Sequence, residues 1–126
     1  MVRGGRWVLA GKLEGERKVL LPELAEVIRS KNAGPYELTL DIIFRTEEIY
    51  DQVVREGLIT AEQIAALYHM SVEKVISFVE FAPAKAIKIT LERPGVCGDV
   101  GDSDVYGAQQ HAPLLFLEIP WKGPLV

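Results

Sequence analysis

The side chains best suited to chemistry gather in one stretch, Gly98–Pro113, which reads GDVGDSDVYGAQQHAP. It carries Asp99, Asp102, Asp104, Tyr106, Gln109, Gln110 and His111 among Gly98, Gly101 and Gly107. Closely spaced carboxylates supply the oxygen ligands a hard cation takes, but the calcium-loop pattern with its closing glutamate is absent. Turns use Asp99, Asp102 and Asp104 equally well, because a short carboxylate accepts backbone N–H bonds; no metal ligand is assigned. Histidine titrates near neutrality, which suits general acid/base work, so His111 is a candidate catalytic group with Asp102 and Asp104 as companions. Its other use is to bond the loop's own backbone. Tyr106, Gln109 and Gln110 offer a phenol and two amides for recognising a ligand. Cys97, the single cysteine, has no partner at a recognisable spacing and is read as structural.

A second polar stretch is Arg29–Glu37, RSKNAGPYE. Arg29 and Lys31 present cations for a phosphate or carboxylate, or cap a helix end; Lys31 and Asn32 are its ligand-binding candidates. Asp41 is either catalytic or an ion-pair partner of Lys88. His69 is explained by a helix C-terminus, where a cation meets the negative end of the dipole. Trp7 and Trp121 mark a partner interface or exposed tails. No Gly-x-Ser-x-Gly elbow, P-loop, dinucleotide fingerprint, HExxH or paired CxxC occurs. A self-sufficient active site is therefore not written in the sequence, and no cofactor is implied.

The elements that must hold these groups follow from periodicity. Leu21–Ser30 reads as a helix, with Pro22 early and Leu24, Val27 and Ile28 on one face; Asn32–Pro35 ends it. Tyr36–Phe44 alternates as a strand. Thr46 caps a helix that Gly57 terminates, and Thr60 with Gln63 opens another. Ser71–Val75 adds a helical turn. Val75–Phe81 and Ala86–Glu92 read as a hairpin, Leu114–Ile119 as a last strand ended by Pro120, and Trp121–Val126 as a loose tail. About twenty irregular residues from Arg93 to Pro113 form a long loop for so small a domain, and such loops carry function. Segregated helices and strands predict an α+β fold, with about four mainly antiparallel strands and helices on one face, of which the ferredoxin-like arrangement is one solution. Residues 1–20 are an extension or hairpin, and 21–126 a single domain.

The chain has 126 residues, 48% of them hydrophobic, with 14 basic and 18 acidic side chains and a net charge of −4. That length buries a core without staples. The mixed, slightly acidic charge opposes nucleic-acid binding. No apolar run approaches the ~20 residues that span a bilayer, and a lone cysteine gives no sign of an oxidising compartment, so a cytoplasmic protein is expected.

The strings RSKNAGPYELTLDIIF (Arg29–Phe44), FAPAKAIKITLERP (Phe81–Pro94) and GDSDVYGAQQHAPLL (Gly101–Leu115) resemble the small bacterial family called domain of unknown function 4387. The likeness runs from about Leu24 to Pro120 and leaves residues 1–20 outside. It implies a ferredoxin-like module that partners, or is fused to, a large protein of the acyclic terpene utilisation type; it implies no catalytic residues. The leading expectation is thus a small subunit or accessory module of a heteromeric enzyme acting on small organic acids or acyl thioesters, which lends the 101–113 loop, Lys31 and Asn32 to an interfacial site. The alternatives are a stand-alone metal-assisted lyase or hydrolase using the Asp and His side chains of 99–111, and a homo-oligomeric ligand-binding module.

Overall fold

A computed structural model describes residues 16–92 and 110–125. Strand β1 (Arg17–Leu20) runs into a single helical turn α1 (Leu21–Leu24), then β2 (Ala25–Asn32) and β3 (Glu37–Phe44). Helices α2 (Glu47–Glu56) and α3 (Ala61–Leu67) follow, then the hairpin β4 (Val75–Phe81) and β5 (Ala86–Glu92), and finally β6 (Glu118–Trp121). Four strands form one sheet in the order β2-β3-β5-β4, every neighbouring pair antiparallel, and β1 pairs with β6 as a separate two-stranded ribbon. The α+β class, the four-stranded antiparallel sheet and the helices on one face match expectation. The ferredoxin-like wiring is not confirmed: the chain runs hairpin, helix pair, hairpin, whereas a split βαβ alternates strand and helix.

The core lies between that sheet and the helices. Leu38, Leu40, Ile42 and Phe44 of β3 and Ile87, Ile89 and Leu91 of β5 bury one sheet face against Ile49, Tyr50 and Val53 of α2 and Ile64 of α3. Each such side chain contributes about 1.5–3 kcal/mol when fully withdrawn from water. The rings of Phe44 and Tyr50 meet in a tilted arrangement at 6.1 Å and 57°, within the separation at which aromatic pairs attract. The helices start as their caps dictate. Thr46 Oγ1 accepts from Ile49 N at 3.1 Å; Thr60 Oγ1 accepts from Gln63 N at 3.2 Å while Gln63 Oε1 accepts from Thr60 N at 2.8 Å.

Three sequence expectations need correction. Leu21–Ser30 is not a helix: only Leu21–Leu24 turns, and Ala25–Asn32 is a strand paired along β3. A bulge sits between Ala25 and Val27, which face the adjacent residues Phe44 and Ile43. The extra residue shifts the inward set from odd to even positions, which erases the period of two and leaves a spacing that mimics a helix face. The turn at Asn32–Pro35 is real, but it reverses a hairpin, with Ala33 N–H donating to Glu37 O at 2.9 Å and Gly34 at φ +122°. Leu114–Ile119 is likewise not one strand: Ala112–Phe116 is a 3-10 helix and the strand is Glu118–Trp121, with Pro120 inside it. Among the described residues β6 pairs with β1 alone, and proline is tolerated on such an edge, where one side of the strand makes no ladder bonds. Trp121 is no loose tail; it is 1% exposed and its Nε1 donates to Pro124 O at 3.2 Å.

The second sheet face carries Arg29 and Lys31 of β2, Thr39 and Asp41 of β3, Lys88 and Thr90 of β5, and Ser77, Val79 and Phe81 of β4 in register. Asp41 pairs there with Arg29 rather than with its cross-strand neighbour Lys88: Arg29 Nε lies 3.0 Å from Oδ2.

Candidate functional site

On the helix side, at the end of the sheet where β3 begins and β5 stops, lies a cavity of about 490 Å³. Small-molecule sites occupy roughly 300–1,000 Å³. Its floor is apolar: Leu38 of β3, Leu91 of β5 and Met70 beyond α3. Its rim is polar, from Tyr68, His69, Lys74, Glu92 and Gln110. These groups come from five places in the chain, most of them placed by a local rule. β-Alternation puts Leu38 and Leu91 on the helix side and Glu92 one step out, at the strand's last residue. Lys74 closes the 3-10 turn Val72–Lys74 that feeds β4.

The end of α3 sets the rest. Tyr68 is its C-cap. His69 follows at φ +57°, the left-handed region. His69 N–H donates to Ala66 O at 3.1 Å and Met70 N–H to Ala65 O at 2.9 Å, the paired closure of a Schellman turn. Glycine usually holds the left-handed position; a residue with a β-carbon costs roughly 1–2 kcal/mol there. The turn brings Tyr68, His69 and Met70 together to the cavity wall.

Tyr68 also anchors the far wall. Its Oη donates to Gln110 O at 2.6 Å, across 42 residues of chain. Burial pushes its phenol well above the ordinary tyrosine value, because the phenolate would lose its hydration. The hydroxyl therefore keeps its proton, and remains a donor, throughout the physiological range. Opposite, Lys74 Nζ and Glu92 Oε2 stand 3.3 Å apart with both side chains about half exposed. Such pairs are worth about 0–1 kcal/mol, so the two side chains separate at small cost.

Of the residues singled out from sequence, Gln110 lines this cavity. His111 follows it at the head of the 3-10 helix, half-buried, its carbonyl accepting from Leu114 N at 2.8 Å. Asn32 faces Leu38 across the β2–β3 ladder and shares the cavity side of the sheet. Lys31, one residue earlier, lies on the opposite face beside Thr39, so the sheet separates it from Asn32 and Gln110. Asp99, Asp102, Asp104, Tyr106 and Gln109, with Trp7 and Cys97, fall outside the described residues. No group of three or more side chains suited to a metal occurs among the described residues, and no described helix is long and apolar enough to cross a membrane.

Sequence reasoning missed Tyr68, Lys74 and Glu92 as site residues and gave His69 only a dipole role. One signal was available. The helix beginning at Thr60 has no glycine or asparagine after its last apolar residue, so a left-handed cap there falls on a residue with a β-carbon.

A family model described as Domain of unknown function (DUF4387) matches residues 21–118. No curated protein and no solved structure matches the chain.

Proposed function

Because the chain belongs to the Domain of unknown function (DUF4387) family, we propose its role from the cavity: it is the small, cytoplasmic subunit of a heteromeric enzyme that handles small organic acids or their thioesters, and it supplies one wall of the ligand site. The observation that carries this reading is the Tyr68–Gln110 bond of 2.6 Å. It ties the end of the polar Gly98–Pro113 stretch to an apolar-floored cleft that already holds an ammonium, an imidazole and a phenol. A short acyl chain fits the floor of Leu38, Leu91 and Met70. Its carboxylate or thioester carbonyl meets Lys74 and the amide of Gln110, donors matched to those oxygens. These groups bind and orient; they do not make up a nucleophile with its own base, which is why a second chain is assigned the chemistry. The large partner expected is of the acyclic terpene utilisation type.

Co-expression with that large protein, followed by affinity capture and size-exclusion chromatography, tests the reading. Co-elution at micromolar concentration, with enzyme activity that falls when Gln110→Ala or Lys74→Ala is introduced, is the expected result. Separate elution of the two proteins sinks it. Elution of this chain as a self-assembled oligomer that binds ligand alone favours the homo-oligomeric module instead.

A further inference from the structure

The two helices that cover the sheet end in the same hydrogen-bond pattern, built on different residues. At the end of α2, Gly57 N–H donates to Val54 O at 3.2 Å and Leu58 N–H to Val53 O at 3.0 Å. At the end of α3, His69 N–H donates to Ala66 O and Met70 N–H to Ala65 O in the same two spans. The left-handed residue is Gly57 at φ +61° in one and His69 at φ +57° in the other. Glycine satisfies that backbone without strain, and a β-carbon does not. The fold thus requires a left-handed backbone at position 69 but not an imidazole, and His69 is exposed rather than part of the core. Of the two non-glycine residues with positive φ among the described residues, His69 and Lys85, His69 is the one that lines the cleft, and backbone strain at a cleft points to a task for the side chain. The cleft provides one, since His69 stands on its rim with Tyr68 of the same turn, Lys74 before β4, Glu92 of β5 and Gln110.

We infer that His69 is the ligand-contacting residue that sets the specificity of this cleft: its ring N–H donates to the carboxylate or carbonyl oxygen of a short acyl ligand, and the left-handed turn the fold requires places the ring at the rim. The inference rests on reading the cavity as an acyl site.

The test uses the full chain, alone and with its large partner, and two probes, butyrate and butyryl-coenzyme A. The chain has only two histidines, so ring signals in a carbon–proton NMR spectrum are assigned with a His111→Ala variant. On titration the His69 ring signals shift. His69→Gly melts at the same temperature as the parent or about 3 °C higher, since it relieves left-handed strain, yet binds the probe at least tenfold more weakly. His69→Asn keeps a residue that tolerates the turn and restores an N–H donor, and recovers part of the lost affinity. A His69→Gly variant that binds as the parent does overturns the assignment and leaves the cleft reading standing. A His69→Gly variant that melts well below the parent also overturns it, because the imidazole would then serve the fold. A parent protein that binds neither probe, with or without the large subunit, overturns both.

Discussion

At the scale of single residues, Tyr68 carries the most consequential contact. Its hydroxyl bridges the end of α3 to the carbonyl of Gln110 at 2.6 Å, across 42 residues of chain. Tyr68→Phe keeps the ring and removes the donor, leaving a carbonyl short of a partner at a cost of about 1–3 kcal/mol. The same residue shapes the alkaline limb of stability. Its phenol is raised in the folded state by burial, from an ordinary value of 10.0. Above that value the unfolded chain gives up its proton while the folded chain keeps it, so the unfolded state binds fewer protons and stability falls as pH rises. Below pH 10 both states are protonated and the residue adds no slope. The expected outcome is a denaturation midpoint that declines above about pH 10 in the parent and declines less steeply in Tyr68→Phe; parallel curves for the two proteins would show the raised phenol to be unimportant. Asp41 is the contrasting residue. It has one carboxylate oxygen bonded to Arg29 and the other, Oδ1, buried without a partner. Arg29 is 62% exposed but the Asp41 side chain only 7%, so loss of Arg29 would leave a buried carboxylate without its counter-charge.

At the scale of elements, the helix ends were the most readable features and the strand β2 the least. Thr46, Gly57, Thr60 and Gln63 act where capping chemistry places them, because a cap depends on a few adjacent atoms that the sequence states outright. Gly57 gives a clean test: a β-carbon there meets nothing within 4 Å, so the whole cost of Gly57→Ala is backbone strain. That substitution should lose about 1–2 kcal/mol, read from urea denaturation, with helix content unchanged in the far ultraviolet. A neutral Gly57→Ala would remove the contrast with His69. The strand at Ala25–Asn32 hid for the opposite reason. Its pairing with β3 is long-range, and the bulge after Ala25 scrambles the alternation by which a strand is recognised. The same limit applied to the site. Gln110 and His111 were legible as polar groups in a loop, whereas Lys74 and Glu92 look like ordinary surface charges until β4 and β5 pair and bring them to 3.3 Å. Lys31 and Asn32, adjacent in sequence, were grouped as one ligand-binding pair; a strand sends neighbours to opposite faces, so recognising β2 would have divided them.

At the scale of the molecule, the described helices cover one face of the sheet, and the ribbon of β1 and β6 adds to that cover. Val19, Leu21 and Leu24 from one end of the described chain and Leu117, Ile119 and Trp121 from the other join the same core as β3 and β5. Arg45 fastens this layer to the sheet, donating to the carbonyls of Pro22 and Glu23 at 2.9 and 3.2 Å. The ribbon is therefore part of the fold, and Trp121 is where it is tested most directly. Its indole is 1% exposed, the largest fully buried side chain among the described residues, and its N–H is spent on Pro124 O at 3.2 Å. Trp121→Ala removes that area from the core, strands the bond and leaves a void that a two-stranded ribbon collapses into only in part. The loss expected is about 3–5 kcal/mol, a large fraction of the roughly 5–15 kcal/mol that holds a domain folded. Phe116 is the control on the same segment: it is 73% exposed, and Phe116→Ala should stay within about 0.5 kcal/mol of the parent. Urea midpoints of the three proteins, measured side by side, decide the matter. A Trp121→Ala variant as stable as Phe116→Ala would mean that the core is complete without β6 and that the ribbon is an attachment to the sheet rather than its lid.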